Sequence, residues 1–295
     1  MKIRTKAELF LLSCTVIWGG TFVIVKGGLD DSPPVFFVAI RFVIATLLFL
    51  PFVARGLPSM SKISFKGGLV IGTLLFLGFV SQTIGLQYTT ASKSGFITGL
   101  LVVFTPIFQI AIERKLPKIG NVIGVVLVTV GLYFLTSPAG SEFNLGDGLT
   151  LICAAIFGLY IVLLDVYSRE GNVWHMNFMQ FAVTALGALA VSLAFEDISV
   201  NLTPSLIGAI AYLALLATLY TITVQVRYQK DTTPTRAAII FSVEPVFAAG
   251  FAYLARGEMI GTLGIFGGIL VVGGLIVSEL SDVLFKRRKY VEPAA

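Results

Sequence analysis

Long apolar runs separated by short polar breaks fill this chain, and each run is close to the length a helix needs to cross a bilayer. Such a helix takes about 20 mostly apolar residues at a rise of about 1.5 Å each. Ten stretches fit: 7–26, 34–53, 67–88, 91–112, 118–136, 148–168, 174–195, 204–226, 235–255 and 261–281. The breaks, such as Gly27 to Pro34, Ser137 to Gly146 and Asp197 to Pro204, are short and rich in Gly, Pro, Ser and Asp. The pattern predicts an all-α membrane protein and leaves no stretch for a separate soluble domain.

Composition agrees: 56% of residues are hydrophobic and 13% charged, where a soluble domain carries about 25% charged residues. The first stretch follows Lys2, Arg4 and Lys6 like the start of a signal peptide, but its length and the stretches behind it make it a first transmembrane helix. Lys and Arg in short loops resist translocation and so set orientation. With the N-terminus inside, 17 of the 21 Lys and Arg fall on the inner side, only Lys26, Lys93 and Arg256 on the outer, and Arg41 within a span. That bias predicts both termini in the cytoplasm, with the tail 286–295, basic at Lys286-Arg287-Arg288-Lys289, retained at the inner leaflet. The net charge of +5 therefore points to the membrane face and not to nucleic acid.

The apolar runs also repeat. Cys14-Thr15-Val16-Ile17-Trp18-Gly19 returns 139 positions later as Cys153-Ala154-Ala155-Ile156-Phe157-Gly158, and Arg41-Phe42 as Gln180-Phe181. Thr89-Thr90 returns 143 positions later as Thr232-Thr233, and Gly124 and Gly131 as Gly267 and Gly274. Five spans per copy is an odd number, so the copies, 1–138 and 145–285, are expected to cross the membrane in opposite senses as inverted five-helix repeats. Such repeats mark secondary transporters with a midplane site between the halves. Inversion would put Cys14 in the inner half and Cys153 in the outer, which disfavours a disulfide between them.

Several runs resemble those of the EamA-type permeases of the drug/metabolite transporter superfamily. They are Trp18-Gly19-Gly20-Thr21-Phe22 with Lys26, Ala39-Ile40-Arg41-Phe42, Gly85-Leu86-Gln87-Tyr88-Thr89-Thr90-Ala91, and Glu244-Pro245-Val246-Phe247-Ala248-Ala249 followed by Gly257-Glu258. The resemblance covers nearly the whole chain. It implies ten helices in two inverted halves and movement of a small metabolite, with export as the weighted direction, and it leaves the substrate open.

Two ionisable residues stand inside spans. A charge there costs about 2.5–3.5 kcal/mol on insertion scales, so it needs a partner or a wet cavity. Arg41 either binds an anionic group or pairs structurally with helix ends or Asp30 and Asp31. Glu244, deep in the ninth stretch, either pairs with a neighbouring polar group or takes up a proton, which is what coupling to a proton gradient requires. Pro245 removes a backbone hydrogen bond beside it, and Pro106 is the corresponding hinge candidate in the fourth stretch. Trp18, Gln82, Tyr160, Gln180 and Tyr212 are candidate substrate contacts, with interhelical bonding as the competing role, as also for Gln109, Gln225 and Tyr220. His175 is expected at the interface without function. Gly120, Gly124, Gly264, Gly268 and the pairs Gly267-Gly268 and Gly273-Gly274 are expected to let the fifth and tenth helices pack as a scaffold.

One histidine and two cysteines inside apolar runs do not make a metal centre, and no nucleotide-binding motif is present, so no cofactor is expected. The sequence thus reads as a secondary transporter of the inner (plasma) membrane, working as a monomer or homodimer, with a small-molecule substrate and the lipid bilayer as partners and proton coupling through Glu244. Uptake or exchange of an anionic metabolite at Arg41 is the alternative within transport. An intramembrane enzyme or sensor is the alternative of another class, and it lacks the clustered catalytic groups it would need.

Overall fold

A computed structural model of the chain describes residues 3–136, 143–256 and 261–288, with side chains omitted at 136, 252–256 and 281–288. Gly257-Glu258, the segment around Ser141 and the side chains of the basic tail lie outside the described residues. The fold is all-helical among those described. The helices are α1 (Ile3–Trp18), α2 (Thr21–Gly28), α3 (Pro34–Val53), α4 (Lys62–Tyr88), α5 (Ala91–Gly99), α6 (Leu101–Glu113) and α7 (Ile119–Thr136). They continue as α8 (Leu145–Ser168), α9 (Val173–Phe195), α10 (Pro204–Ala214), α11 (Thr221–Tyr228), α12 (Pro234–Phe241), α13 (Glu244–Arg256) and α14 (Thr262–Arg288).

Eight helical stretches are long and apolar enough to cross a membrane: Ile3–Gly28, Pro34–Val53, Lys62–Tyr88, Ala91–Glu113, Leu145–Ser168, Val173–Phe195, Pro204–Asp231 and Thr262–Leu280. The fifth expected stretch appears as a shorter apolar helix, Ile119–Leu135. The ninth is not one helix but two, α12 and α13, meeting at Ser242-Val243.

Helix starts follow local chemistry. Thr90, Thr203 and Thr233 accept hydrogen bonds from the backbone N–H three residues on, and Asn144 and Asp147 form a capping box. Pro34, Pro204 and Pro234 occupy first-turn positions, where the missing N–H costs nothing. Glu196 reaches across from the end of α9 to accept from Val35 N and Phe36 N, both at 2.8 Å, and so caps α3. Both cysteines are free and buried.

Helices α7 and α14 pack as the scaffold that the sequence predicts, but through fewer glycines. A Cβ on Gly124 would lie 2.9 Å from Gly274 O, and one on Gly131 would lie 2.7 Å from Gly267 O. Rising numbers on α7 meet falling numbers on α14, so the two run antiparallel. Gly273 meets nothing within 4 Å and Gly268 touches only the Leu135 side chain, so neither holds the seam.

Among the described residues, four breaks lie within the expected spanning stretches, the first dividing α1 from α2 at Gly19-Gly20. Another divides α5 from α6 at Leu100, one divides α12 from α13 at Ser242-Val243, and a π-helical turn, Leu215–Tyr220, separates α10 from α11. Leu100 and Val243 are 143 positions apart. Of the hinge candidates, Pro106 sits inside α6, six residues past the break, and Pro245 sits in the first turn of α13, where proline is tolerated. Backbone groups freed inside a membrane need partners, because no water supplies them. Here local groups share the task, Val243 N donating to Ile240 O and Thr221 Oγ1 to Ala217 O, with further donors from the other part of the chain. Ser242 Oγ donates to Gly99 O (3.0 Å), Thr15 Oγ1 to Ile240 O (3.3 Å) and Trp18 Nε1 to Ala217 O (3.1 Å).

Candidate functional site

Where these breaks converge, α1, α2, α4, α5, α6, α8, α11, α12 and α13 enclose a cavity of about 80 Å³. Its walls come in couples spaced by the repeat. Trp18 and Phe157, Thr21 and Tyr160, and Phe22 and Ile161 are 139 apart; Phe79 and Ile222, Gln82 and Gln225, Thr98 and Phe241, and Leu101 and Glu244 are 143 apart. Leu75 is the remaining lining residue, and the position 143 beyond it, Thr218, is buried behind the wall. The tight contacts beside the cavity match in the same way. A Cβ on Gly19 would lie 2.9 Å from Phe247 Cβ and 3.1 Å from Ala248 N; one on Gly158 would lie 2.9 Å from Phe104 Cβ and 3.1 Å from Thr105 N.

Six aromatic side chains, Trp18, Phe22, Phe79, Phe157, Tyr160 and Phe241, line the cavity. Trp18 meets Phe241 edge-on at 5.3 Å, and Phe79 meets Phe157 at 5.4 Å. Polar groups are few and mostly engaged: Gln82 Nε2 donates to Thr98 Oγ1 (3.2 Å), Gln225 Nε2 to Gln229 Oε1 (2.9 Å) and Tyr160 Oη to Gln180 Oε1 (3.0 Å). Among the described residues, Glu244 is the one Asp, Glu, Lys, Arg or His in the lining. It opens α13, so its carboxylate sits at the positive end of a 13-residue helix, and no described side chain pairs with it. In the couple formed with Leu101, only one side carries a charge.

Of the candidates, Trp18, Gln82, Tyr160 and Glu244 line the cavity. Arg41 and Gln180, themselves 139 apart, do not; each stands one layer behind an aromatic wall residue. Gln180 holds the Tyr160 hydroxyl and donates to Asn177 Oδ1 at 2.8 Å. Arg41 lies 4.4 Å from the Phe79 ring centroid, donates to Thr218 Oγ1 at 2.8 Å and reaches Ala217 O at 3.4 Å. Both acceptors belong to the π-helical turn, whose Ala217 carbonyl also takes the Trp18 indole proton. Arg41 thus braces two cavity walls, and neither Asp30 nor Asp31 pairs with it. Tyr212 is also outside the lining; its hydroxyl donates to Ile17 O at 2.6 Å and ties α10 to α1 just before the Gly19-Gly20 break. Gln109 bonds Thr235 and Glu113 away from the cavity.

A bracing role predicts that Arg41→Ala lowers stability by about 1–3 kcal/mol through the lost hydrogen bonds and the void left behind. Transport rates should then fall alike for cationic, neutral and anionic solutes. A loss confined to anionic solutes, in uptake assays on purified protein, would restore Arg41 as an anion site.

Comparison with known proteins accounts for this construction. An "Uncharacterized transporter" of Archaeoglobus fulgidus is 37% identical over 278 residues, covering 94% of this chain and 87% of that one. Transporter YoaV of Bacillus subtilis is 29% identical, covering 96% and 99%. The inner membrane transporter YedA of Escherichia coli is 24% identical, covering 99% and 97%. A solved crystal structure shares the fold at a TM-score of 0.77 and 18% identity, over 97% of this chain and 99% of the other. The EamA-like transporter family matches this chain twice, over residues 5–137 and again over 144–280. The chain is therefore a multi-pass membrane transporter belonging to the EamA-like transporter family.

Proposed function

We propose that this protein is a secondary active transporter that moves a small amine-bearing metabolite or drug-like cation across the inner membrane by alternating access, in the export direction. The observation that carries the reading is the cavity. Both family-matched segments build its walls, and among the described residues its one acidic or basic lining side chain is a carboxylate with no partner, Glu244. A carboxylate in a cavity lined by six aromatic side chains suits a cation, since a ring met face-on adds about 0.5–2 kcal/mol of cation–π attraction. The same carboxylate can hold a proton instead, so cation and proton compete for one site. That competition couples the two flows without a nucleotide.

The wider architecture supports the mechanism. The eight long apolar helices, Ile119–Leu135 and the broken pair α12–α13 together make ten crossings, with both termini cytoplasmic on the charge bias. The antiparallel seam of α7 on α14 and the matching contacts at Gly19 and Gly158 are what inverted halves, 1–138 and 145–285, related by a two-fold axis through the cavity would produce. At about 80 Å³ the cavity is far below the roughly 300–1,000 Å³ of ordinary ligand sites, so the halves must separate to admit a substrate. Arg41 stands behind the Phe79 ring and outside the cavity lining, which leaves the anionic-metabolite alternative without a cationic group in the cavity.

The test is counterflow in proteoliposomes with amino acids, nucleosides and cationic dyes, with and without a pH gradient. Amine-bearing or cationic solutes are expected to move faster than through protein-free vesicles and to respond to the gradient. Preferential movement of anions, or no movement of any class, would reject the reading.

A further inference from the structure

Two charged clusters outside the cavity are spaced by the same repeat. Glu8 on α1 accepts from Thr232 Oγ1 (3.0 Å) and from Arg236 Nε (2.9 Å) at the start of α12. Asp147 on α8 accepts from Thr89 Oγ1 (2.7 Å) and pairs with Lys93 Nζ (2.6 Å) at the start of α5. Glu8 and Asp147 are 139 apart, while Thr89 and Thr232, and Lys93 and Arg236, are each 143 apart. In each cluster the acid comes from one half and this threonine and base come from the other, while each acid also has a local partner: Arg4 Nε donates to Glu8 Oε1 (3.0 Å) and Asn144 N to Asp147 Oδ2 (2.9 Å).

The clusters occupy opposite ends of the helices. Lys26, at the far end of α2, donates to Leu86 O and Thr89 O, which places the Asp147 cluster at that end. Glu8 lies 18 residues earlier on the same spanning stretch, about 27 Å away at helical rise. Between them lie the cavity and the cross-half contact of Ser242 with Gly99, positions that are themselves 143 apart.

Building on the alternating-access reading, we infer that Glu8–Arg236 and Asp147–Lys93 are twin latches that close opposite faces of the transporter and open in turn. Each latch pins the first helix of one half to the junction of the third and fourth stretches of the other. Rocking the halves about the midplane contact stretches one latch as it compresses the other. The pairs are well enough buried to matter: Asp147 is 0% and Arg236 4% exposed, with partners at 12%. Separating a buried pair costs the compensation its partner supplied, so each face resists opening until water enters it; on the Glu8 face Arg4 and Glu279 stay behind to offset part of that cost. The faces differ in reinforcement. Arg236 also pairs with Glu279 and donates to Ser278 O, tying the Glu8 face to the scaffold helix α14.

The test needs no substrate, so its outcome is independent of the transport panel. Cys14→Ser and Cys153→Ala remove the native thiols, and Thr21→Cys places one in the cavity wall. A membrane-impermeant maleimide is then applied to right-side-out and to inside-out vesicles. Asp147→Asn should speed labelling from the Asp147 face about tenfold and slow it from the other, as a shift of about one decade in a two-state population requires. Glu8→Gln should do the reverse. The paired swap Asp147→Lys with Lys93→Asp should bring the balance back toward the parent protein. If a single variant fails to insert, Lys93→Gln and Arg236→Gln break the same pairs from the opposite partner with the same expectation. Shifts in the same direction for both faces, unchanged labelling, or no recovery in the swap would overturn the inference.

Discussion

Glu244→Gln should abolish pH-gradient-driven movement of cationic solutes and weaken their binding by about 10–100-fold, the value of one charge-assisted hydrogen bond of about 1.5–3 kcal/mol. The substitution keeps the size and the first-turn position on α13 but removes both the charge and the exchangeable proton. Because no described residue pairs with this carboxylate, its loss should leave insertion and helix packing intact. Trp18, Phe79 and Phe157 remain to hold an aromatic body, so residual, pH-independent equilibration of neutral analogues is expected. Purified wild-type and variant protein compared in vesicles with imposed pH gradients give the readout. Unchanged coupling would remove Glu244 from the mechanism.

The second large effect concerns the scaffold. Gly131→Val should lower stability by more than the roughly 1–3 kcal/mol of ordinary overpacking. A Cβ at that position meets Gly267 O and Val271 N, both at 2.7 Å, and Leu270 Cβ at 2.9 Å. Two of the three are backbone atoms, which have no alternative rotamer, so α7 and α14 must part along their length. Gly273→Val on α14 is the matched control, because its Cβ meets nothing within 4 Å. Thermal unfolding in detergent should separate the two by several degrees. Equal melting temperatures would mean that the glycine seam does not hold the scaffold.

Much of this arrangement was legible in the sequence, because membrane hydropathy and a repeat both leave strong periodic marks. The long spanning stretches, the packing of the fifth expected helix on the tenth, and Trp18, Gln82, Tyr160 and Glu244 as polar or aromatic groups worth following were all readable. The helix breaks were not. Leu100 and Val243 are ordinary apolar residues, the cross-half bond of Ser242 to Gly99 lies beside both, and the prolines that drew notice sit past them. Arg41 stayed open between two roles for a different reason: its charge shows that it needs partners but not which way it faces. It turns toward a π-helical carbonyl, and no sequence rule marks where such a turn falls.

The latches were hidden in plain composition, since Glu8 and Lys93 look like interfacial charges. The repeated Thr89-Thr90 and Thr232-Thr233 were the available signal. In each couple the first threonine donates to the acid of the other half, and the second caps the helix that carries the basic partner. A repeat that preserves two hydroxyls in a row was preserving a contact and a cap together. Carrying the same stagger to every charged residue would have found Glu8 with Asp147 and Lys93 with Arg236.

The central claim is that one carboxylate in a cavity shared by both halves binds either a proton or a cationic substrate. Proton release on binding tests it most directly: a cationic solute that moves in the counterflow panel is added to weakly buffered, detergent-solubilised protein at a pH where Glu244 is protonated. The account predicts acidification that saturates with the bound solute and vanishes in Glu244→Gln. Binding that releases no proton, or a release that persists in Glu244→Gln, would contradict it.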